Sequence, residues 1–566
     1  MLDFVQTETL LVRTFGDLIK DPSLAPDDNL REKGLGSLQC VAGAMLLRKH
    51  GIKVKPQELV RYDTVRALTN HLCTADLAEH SSQQVAGTEE SFATYSMTPT
   101  QRDWQQAGFN EHYNIYGGWS YHTDTFSRSI FAEAVQHLVN SQEELRLRIS
   151  KGEDGLLLSS VSLQHPPYLE TIDLSHLSTE QARAEATETC CGLQRAFRFD
   201  GKTPLCRFID FRLDKQGNGW IFIIVHHFTV DGFGWGNLLR KISHVYSCLY
   251  EDKEPFDIYG GSGVSRLWSE ALKLHGQTTG KEELPYWQSL PWEALNCNLR
   301  DSLHCPDIAA PTNVFNDEDA VRLHELETGA SIDTQSMADV FESQATVLGR
   351  LDSPLSRCLL ENAWRGAELD EFDDFDLFSA AAVHALAPYC RKSHLWLDML
   401  AATRSGVFED IDASGSLGYF SELTPFVAPV STRHDLRKTA RAIAAFRAKQ
   451  PRSGVGFRAL KTHANEPEIQ NSLAAMRRPQ VGINYHASLL YAFSGTMLDL
   501  PKVPDWLGPT MDENGIRYRF WYRVSFGDGC LQMMLRYNPS RYCIKDGLAV
   551  ANGTLAALRD FLFNNR

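Results

Sequence analysis

The sequence predicts a mixed α/β (α+β) fold that is divided between a small four-helix domain and a much larger domain of helices and strands. At 566 residues the chain is too long for one ordinary domain, and its 43% hydrophobic content is enough for large cores. Residues 1–75 carry apolar side chains at helical spacing, whereas residues 76–91 are polar, lack periodicity and indicate a linker. The remaining residues contain a clear strand-to-helix pattern.

That pattern lies in residues 220–239, which read WIFIIVHHFTVDGFGWGNLL. Ile221 to Val225 is a run of five apolar, mainly β-branched residues, which predicts a strand buried on both faces. An amphipathic helix is predicted from Trp235 to Leu249. The strand stops at His226 and His227, which puts an imidazole at the rim of a core, where it can take a proton and return it.

Residues 226–232 of this loop read HHFTVDG and match the pattern HHxxxDG, whose fixed positions are His226, His227, Asp231 and Gly232. A histidine pair alone is more often structural, but the whole pattern after an apolar strand resembles the active-site motif of the condensation-domain superfamily of nonribosomal peptide synthetases. The resemblance implies that His226, His227 and Asp231 form the catalytic motif, in which His227 is the working residue and Asp231 shapes the loop.

Other segments resemble the same superfamily over most of residues 92–566. Residues 96–101 (SMTPTQ) with Trp104 resemble its opening motif, and residues 284–287 (LPYW) resemble the segment before the crossover into the second lobe. The resemblance implies a V-shaped pair of lobes of chloramphenicol acetyltransferase type, with a tunnel between them. The expected lobes comprise residues 92–288 and residues 289–566.

Several segments resemble epimerization domains more than condensation domains. Trp235 occupies the tryptophan position of their DGxSW segment. Residues 407–420 (VFEDIDASGSLGYF) resemble FEDIDVSRTVGWF, and residues 482–485 (GINY) resemble their FNY segment. The tunnel residues implied by these matches are Gly232, Trp235, Arg404, Asn484 and Tyr485.

One position departs from the epimerization pattern. The glutamate of the EGHGR motif, which serves those domains as a second acid/base, is Leu400 here, and only the arginine, Arg404, remains. Epimerization removes a proton from one face of the α-carbon and returns one to the other, so two groups on opposite sides are the simplest design. Asp398 and Tyr485 are conceivable substitutes, with structural roles as the alternative for each.

Several functions therefore remain open at this point. Abstraction of an α-proton by His227, leading to epimerization or to a diverted reaction such as elimination, cyclisation or hydrolysis, is the leading expectation. Peptide-bond condensation is the main enzymatic alternative, although Glu422 stands where the asparagine of the condensation segment GxFVN is expected. A catalytically silent scaffold is the non-enzymatic alternative.

The small domain contains the segment GLGSL at residues 34–38, directly before a predicted helix. Ser37 is a preferred residue type for a helix N-cap, which is its structural interpretation. Together with residues 51–72, however, the segment resembles a peptidyl carrier protein, whose GGDSL-type serine carries 4'-phosphopantetheine. The resemblance implies that a phosphopantetheinyl transferase modifies Ser37, although Gly36 replaces the usual aspartate.

Composition limits the partners. A net charge of -15 argues against nucleic acid or an anionic membrane. No apolar run of transmembrane length and no signal pattern is present, and the 12 cysteines show no CxxC spacing, so we expect a cytoplasmic protein without a metal site. The expected partners are a carrier-tethered aminoacyl or peptidyl substrate and neighbouring synthetase domains, because no adenylation motif is present.

Overall fold

The computed structural model describes most of the chain outside a few connecting segments. The described ranges, apart from isolated residues and pairs, are 4–19, 21–30, 62–75, 94–106, 113–152, 155–161, 168–255, 262–296, 299–304, 332–333, 345–361, 372–404, 410–430, 435–476, 479–487, 518–527, 529–539 and 541–565. Ser37 and the linker predicted at residues 76–91 lie outside the described residues.

The small N-terminal domain is described mainly by its first and last helices, α1 (Phe4–Ile19) and α2 (Val65–Ala75). Their apolar faces share one core, in which Leu11, Phe15 and Leu68 are fully buried. Most of the chain predicted to form the two middle helices is outside the described residues. The described part thus has its own hydrophobic core, as a separate small domain requires.

The first part of the large domain contains two sheets. The strands are β1 (Thr94–Ser96), β2 (Asn114–Tyr121), β3 (Leu147–Gly152), β4 (Gly155–Ser160), β5 (Leu169–Asp173), β6 (Cys206–Arg212) and β7 (Gly219–His226). One sheet has the order β1-β4-β3, and the other has the order β2-β7-β6-β5. Strand β7 is therefore a central strand with neighbours on both sides.

Helices cover these sheets. They are α3 (Pro99–Gln106), α4 (Arg128–Ser141), α5 (Thr179–Gln194), α6 (Gly232–Tyr250), α7 (Val264–Gln277) and α8 (Leu284–Gln288). Ile221, Ile223 and Val225 of β7 lie in the core shared with α4 and α6, whereas Phe222 and Ile224 lie in the core on the opposite face. The prediction of a strand buried on both faces is confirmed.

The second part of the large domain is built on an eight-stranded mixed sheet. Its strands are β8 (Leu295–Asn296), β9 (Ile332–Asp333), β10 (Ala345–Leu351), β11 (His394–Ala402), β12 (Ser421–Pro429), β13 (Val481–Tyr485), β14 (Phe520–Gly527) and β15 (Cys530–Tyr537). The order is β12-β11-β13-β14-β15-β10-β9, and β8 pairs with β11. Strands β11, β13 and β14 run parallel to one another.

Helices cover one face of this sheet and support its edge. They are α9 (Ser353–Leu360), α10 (Asp374–Leu386), α11 (Leu436–Lys449), α12 (Gly456–His463), α13 (Pro467–Ala475) and α14 (Ile544–Asn564). The other face turns toward the first part of the large domain, since Tyr419, Leu423 and Trp521 share a core with its residues. The mixed fold class is confirmed, and the V-shaped arrangement stays a prediction.

The predicted helix at residues 235–249 begins earlier than expected. Helix α6 starts at Gly232, three residues before Trp235, because the Asp231 carboxylate accepts the Gly234 N–H at 2.7 Å and thereby caps the first turn. The HHxxxDG loop is consequently shorter than predicted. It leaves a buried strand and enters a buried helix within five residues.

Candidate active site

His227 lies directly after β7, at the boundary between the two parts of the large domain. Its backbone N–H donates to the Tyr113 carbonyl at 2.8 Å. Its imidazole stacks on the Tyr113 ring, with centroids 4.5 Å apart and planes 9° apart, and Tyr419 from the second part of the domain approaches edge-on at 6.1 Å. Two aromatic side chains thus fix a ring that remains partly exposed.

The surroundings of His227 keep its imidazole neutral. Desolvation by burial lowers its pKa from 6.5 to about 4, Arg523 acts in the same direction, and Asp231 opposes the shift. Nδ1 is buried without a hydrogen bond to a described residue, and the backbone of His227 and Val230 partly offsets the lowering of the pKa. A neutral imidazole with a lone pair is the form that a general base requires.

His226 points in the opposite direction, as the alternation of a strand dictates. Its ring is fully buried, lies among Phe197, Phe199 and Phe228, and its Nδ1 accepts the Phe228 N–H at 3.1 Å. Of the two histidines predicted to be catalytic, only His227 faces open space. The placement of His226 favours a role in holding the loop.

Asp231 connects the two parts of the large domain. Besides capping α6, its carboxylate accepts the Phe420 N–H and the Ser421 hydroxyl, each at 2.9 Å, and it pairs with Arg404 at 2.5 Å. Burial acts to raise the pKa of Asp231, but Arg404 and the amides of Gly234 and Phe420 hold it below its ordinary value. The carboxylate is therefore a fixed anion that holds the loop in position.

Arg404 is also buried, at 1% exposure, although the sequence placed it among the tunnel residues. Its guanidinium donates to the carbonyls of Ala413, Ser416 and Gly418 at 2.7 to 3.2 Å, in addition to Asp231. Both terminal nitrogens thus donate to protein acceptors, whereas the buried Nε has no hydrogen-bond partner among the described residues. This placement favours a positioning role over contact with substrate.

The tunnel candidates Asn484 and Tyr485 are consecutive residues of β13, so their side chains lie on opposite faces of the sheet. Asn484 is partly exposed, and its buried Oδ1 has no hydrogen-bond partner among the described residues. Tyr485 lies on the opposite face, packs against Phe378 and donates its hydroxyl to Asp374 at 2.8 Å. Asn484 thus faces the boundary between the lobes, whereas Tyr485 faces the helical layer.

Gly232 and Trp235 both lie at the start of α6. A Cβ at position 232 would lie 3.5 Å from Cε1 of His486. This glycine therefore contacts the side chain of the residue that directly follows β13. Trp235 is partly exposed and stacks on Trp119, with ring centroids 6.4 Å apart. Gly232 lies at the meeting point of the two lobes, and Trp235 lines the first lobe.

The two proposed substitutes for the missing glutamate are both engaged elsewhere. Asp398 is 1% exposed, accepts two hydrogen bonds from Arg458 at 2.8 and 3.1 Å, and accepts the Tyr518 hydroxyl at 2.6 Å. Tyr485 is directed into the helical layer. Leu400 itself packs against the core that includes Tyr419 and Trp521, so it lies on the face that meets the first lobe.

Two polar residues at this boundary were missed by the sequence analysis. Arg523 lies on β14, in register with Asn484, and interacts electrostatically with His227 and Tyr113. His486 follows β13, donates its backbone N–H to the Val524 carbonyl at 2.7 Å, and interacts electrostatically with His227. A histidine directly after the GINY segment was the available signal, but only the sheet pairing brings it to the site.

Comparison with known families agrees with this arrangement. Residues 9–72 match the phosphopantetheine attachment site family, and residues 92–331 match the condensation domain family. The chain is a carrier domain followed by a condensation-superfamily domain. The predicted resemblance to nonribosomal peptide synthetases is confirmed at this level, and the large domain is an enzyme domain of that superfamily.

Curated relatives of this carrier–condensation chain are much longer proteins. Chondramide synthase of Chondromyces crocatus is 24% identical over 544 residues, covering 94% of this chain and 12% of that protein. Tyrocidine synthase 1 of Brevibacillus parabrevis is 20% identical over 496 residues, covering 85% of this chain and 40% of that protein. The chain thus spans less than half the length of these relatives.

Solved structures show the same fold for the condensation-superfamily domain. The epimerization domain from the third module of tyrocidine synthetase B superposes with a TM-score of 0.63 at 17% identity, covering 84% of this chain and 99% of that domain. The starter condensation domain of rhizomide synthetase gives 0.54 at 15% identity, covering 83% and 94%. At these identities the similarity establishes the fold.

The carrier domain implies a 4'-phosphopantetheine prosthetic group. The described residues fit a carrier, because Leu35, two positions before Ser37, is buried in the small core and its N–H donates to the Leu30 carbonyl at 2.8 Å. Leu35 is thereby anchored in the small core. In the described part of the chain no cluster of three metal-ligating side chains occurs, and no described helix is long and apolar enough to cross a membrane.

The Asp231–Arg404 pair predicts a large loss of stability when one partner is removed. We expect Arg404→Met to lower the free energy of unfolding by about 3–5 kcal/mol, because it leaves a buried carboxylate without its cation. The exposed pair Arg266–Glu270 provides the control, and Arg266→Met is expected to cost about 1 kcal/mol or less. Chemical denaturation of the full chain measures both; equal small losses would contradict the role assigned to Arg404.

Proposed function

We propose that the condensation-superfamily domain removes the α-proton of an aminoacyl or peptidyl group held as a thioester on the carrier, with His227 as the base. The observation that supports this proposal is a neutral, partly exposed imidazole at the boundary of the lobes, beside the cationic side chain of Arg523. The 4'-phosphopantetheine on Ser37 would supply a long flexible thioester linkage. A phosphopantetheinyl transferase and neighbouring synthetase domains are the partners that this proposal requires.

Proton abstraction next to a thioester needs stabilisation of the resulting charge. When the Cα–H bond breaks, the proton passes to His227 and the electron pair is delocalised onto the thioester carbonyl oxygen. Arg523 makes no ion pair with a described carboxylate, and burial lowers its pKa, since its charge has little compensation. A cation held in this way is suited to stabilise an enolate oxygen that develops only during the reaction.

Epimerization is the outcome that the residues favour. The segments around Trp235, Arg404 and Asn484 resemble epimerization domains, and the epimerization domain of tyrocidine synthetase B superposes with the higher of the two TM-scores above. A carrier ahead of the domain gives its substrate a direct route to His227. The cytoplasmic setting expected from the sequence belongs to this proposal, and the described cysteines form no disulfide.

Condensation is the second candidate, because the intact HHxxxDG motif and the condensation family match both accommodate it. In that reaction His227 would orient or deprotonate an amine that attacks a thioester. The distinction between the two reactions is chemical: epimerization exchanges the α-proton with solvent, whereas condensation requires a second substrate. An experiment in deuterated water separates them.

Substitution of His227 tests the proposed base. The carrier is loaded through Ser37 with aminoacyl- or peptidyl-pantetheine groups and incubated in deuterated water, and mass spectrometry with chiral analysis follows the α-carbon. We expect incorporation of one deuterium with inversion in the parent protein. For the enantiomer whose α-proton His227 removes, we expect His227→Ala to lose incorporation by at least about a hundredfold, within the range ascribed to general base catalysis.

The matched control is His122→Ala, which removes an exposed histidine of the same lobe that bonds Asn218 at the surface. This variant should incorporate deuterium at the parental rate. Product release or mass loss without exchange would move the function to hydrolysis, cyclisation or elimination. Unchanged tethered substrate in parent and variant alike, with several substrates tried, would favour condensation or a scaffold.

Substitution of Arg523 tests charge stabilisation. Arg523→Met should lower kcat for deuterium incorporation by about 10²–10³, the usual effect of losing one group that stabilises a developing oxyanion. Arg523→Lys retains the charge without the planar fork and should lose less. A change confined to KM would indicate that Arg523 binds the ground state only and would contradict this role.

The lowered pKa of His227 predicts an unusual pH dependence. Because the neutral base is the active form and its pKa is about 4, the rate of deuterium incorporation should stay constant as the pH falls from 8 to about 5 and then decline around pH 4. Circular dichroism at each pH establishes that the protein is folded. A half-maximal rate near pH 6.5, the ordinary value for histidine, would show that burial does not set this pKa.

A further inference from the structure

The second proton-transfer group for the proposed α-proton chemistry is absent from its expected place, since position 400 is leucine. Leu400 lies on β11, and β13 runs parallel beside it, with Asp398 opposite Gly482 and Met399 opposite Ile483. Continuing this register by one residue sets Leu400 beside Asn484. Because side chains alternate between the two faces of a sheet, every second residue of β13, counted from Asn484, lies on the same face as Leu400.

His486 is the next residue on that face of the second lobe. It lies two positions beyond Asn484, and its N–H···O bond to Val524 extends the β13–β14 pairing. Since neighbouring strands lie about 4.8 Å apart and two residues span about 6.6 Å, its Cα is about 8 Å from that of Leu400. A histidine thus occupies a site one strand away from the missing glutamate.

The side chain of His486 faces His227 across the boundary between the lobes. Its imidazole lies against Gly232, where a Cβ would approach Cε1 to 3.5 Å, and Gly232 belongs to the same loop as His227. The two imidazoles are close enough to interact electrostatically, and both interact with Arg523 and Asp231. A substrate between the lobes would therefore have one histidine on each side.

The imidazole of His486 is available for chemistry. It is partly exposed, and within the described residues its side chain makes no hydrogen bond that would occupy either nitrogen. Burial lowers its pKa to about 3, so that it is neutral at physiological pH. Glu422 is an acidic residue near Tyr419, but it is only 1% exposed. Its Oε2 accepts the Thr100 hydroxyl at 2.5 Å, and its Oε1 is buried without a hydrogen-bond partner among the described residues, so the carboxylate is less accessible than the imidazole of His486.

We infer that His486 is the second proton-transfer residue of this domain and acts on the α-carbon face opposite to His227. The inference rests on the proposed α-proton chemistry. The Cα–H bond on one face breaks and its proton passes to His227, while the electron pair moves to the thioester carbonyl. The pair then forms a new Cα–H bond on the other face with the proton from a His486 N–H bond. One proton leaves His227 to solvent and one returns from solvent to His486, so the cycle is balanced.

Neutral imidazole is a sufficient acid for this step, because a thioester enolate is a much stronger base than the imidazole anion. A neutral histidine serves as the electrophilic group in triosephosphate isomerase, where a helix N-terminus lowers its pKa. His486 lies beside the first residue of α6, which is also a helix N-terminus. The Arg523 guanidinium further disfavours a second positive charge on this ring.

The test uses the full chain, with free aminoacyl-pantetheine thioesters supplied as separate L and D enantiomers in deuterated water. For each enantiomer, α-deuterium incorporation and inversion are measured independently. The parent protein should incorporate deuterium and invert both. His227→Ala and His486→Gln should each lose inversion by at least about a hundredfold. Each should also lose incorporation from one enantiomer only, and the two losses should be complementary.

The control is His463→Gln, which alters another histidine of the second lobe whose pKa burial also lowers to about 4. Its side chain packs against Gly276 of α7 and interacts electrostatically with Arg102 and Lys273 rather than with His227 or Arg523. It should retain both activities, and circular dichroism should show all variants folded. Two results with an active parent protein would overturn the inference about His486 and leave the proposed function standing. In the first, His486→Gln exchanges and inverts like the parent. In the second, His486→Gln loses deuterium incorporation equally from both enantiomers. A parent protein without exchange overturns both.

Discussion

The buried ion pair between Asp231 and Arg404 is the interaction on which the geometry of the site depends. Asp231 belongs to the loop that follows β7, and Arg404 follows β11 in the other lobe. Each charge is costly to bury alone, and the pair is tolerated because the carboxylate also accepts the amides of Gly234 and Phe420 while the guanidinium meets three carbonyls. The two charges neutralise each other only when the lobes are in contact, so the pair fixes the relative position of the lobes at the HHxxxDG loop.

Desolvation at this boundary sets the chemistry as well as the geometry. Burial holds His227 and His486 neutral at physiological pH and lowers the pKa of Arg523. The carboxylate of Asp231 belongs to the pair with Arg404, so it attracts protons to His227 only weakly. A site with two neutral imidazoles and one weakly compensated cation is organised for charge that appears on the substrate during reaction rather than in the ground state.

The replacement of the expected glutamate illustrates how a sheet can move a function from one strand to its neighbour. Leu400 fills apolar space beside Tyr419 and Trp521 and extends the core that joins the lobes. The face of the sheet that it occupies continues onto β13, where Asn484 and His486 supply polar groups. In the proposed chemistry, the proton-transfer group is thus displaced along the same surface, and its opposition to His227 is retained.

The sequence by itself determined the domain order, the mixed fold and the position of His227, because local patterns suffice for these: an apolar run ending in HHxxxDG defines a buried strand and its active loop. The helix start at Gly232, the partner of Asp231 and the directions of His226 and Tyr485 were decided by the tertiary structure. Those properties depend on which atoms from distant segments satisfy a buried charge or fill a face of a sheet. The sequence did not place Arg523 or His486 at the site for the same reason. Strand pairing brings them to His227, and neither segment alone shows with which strand it pairs.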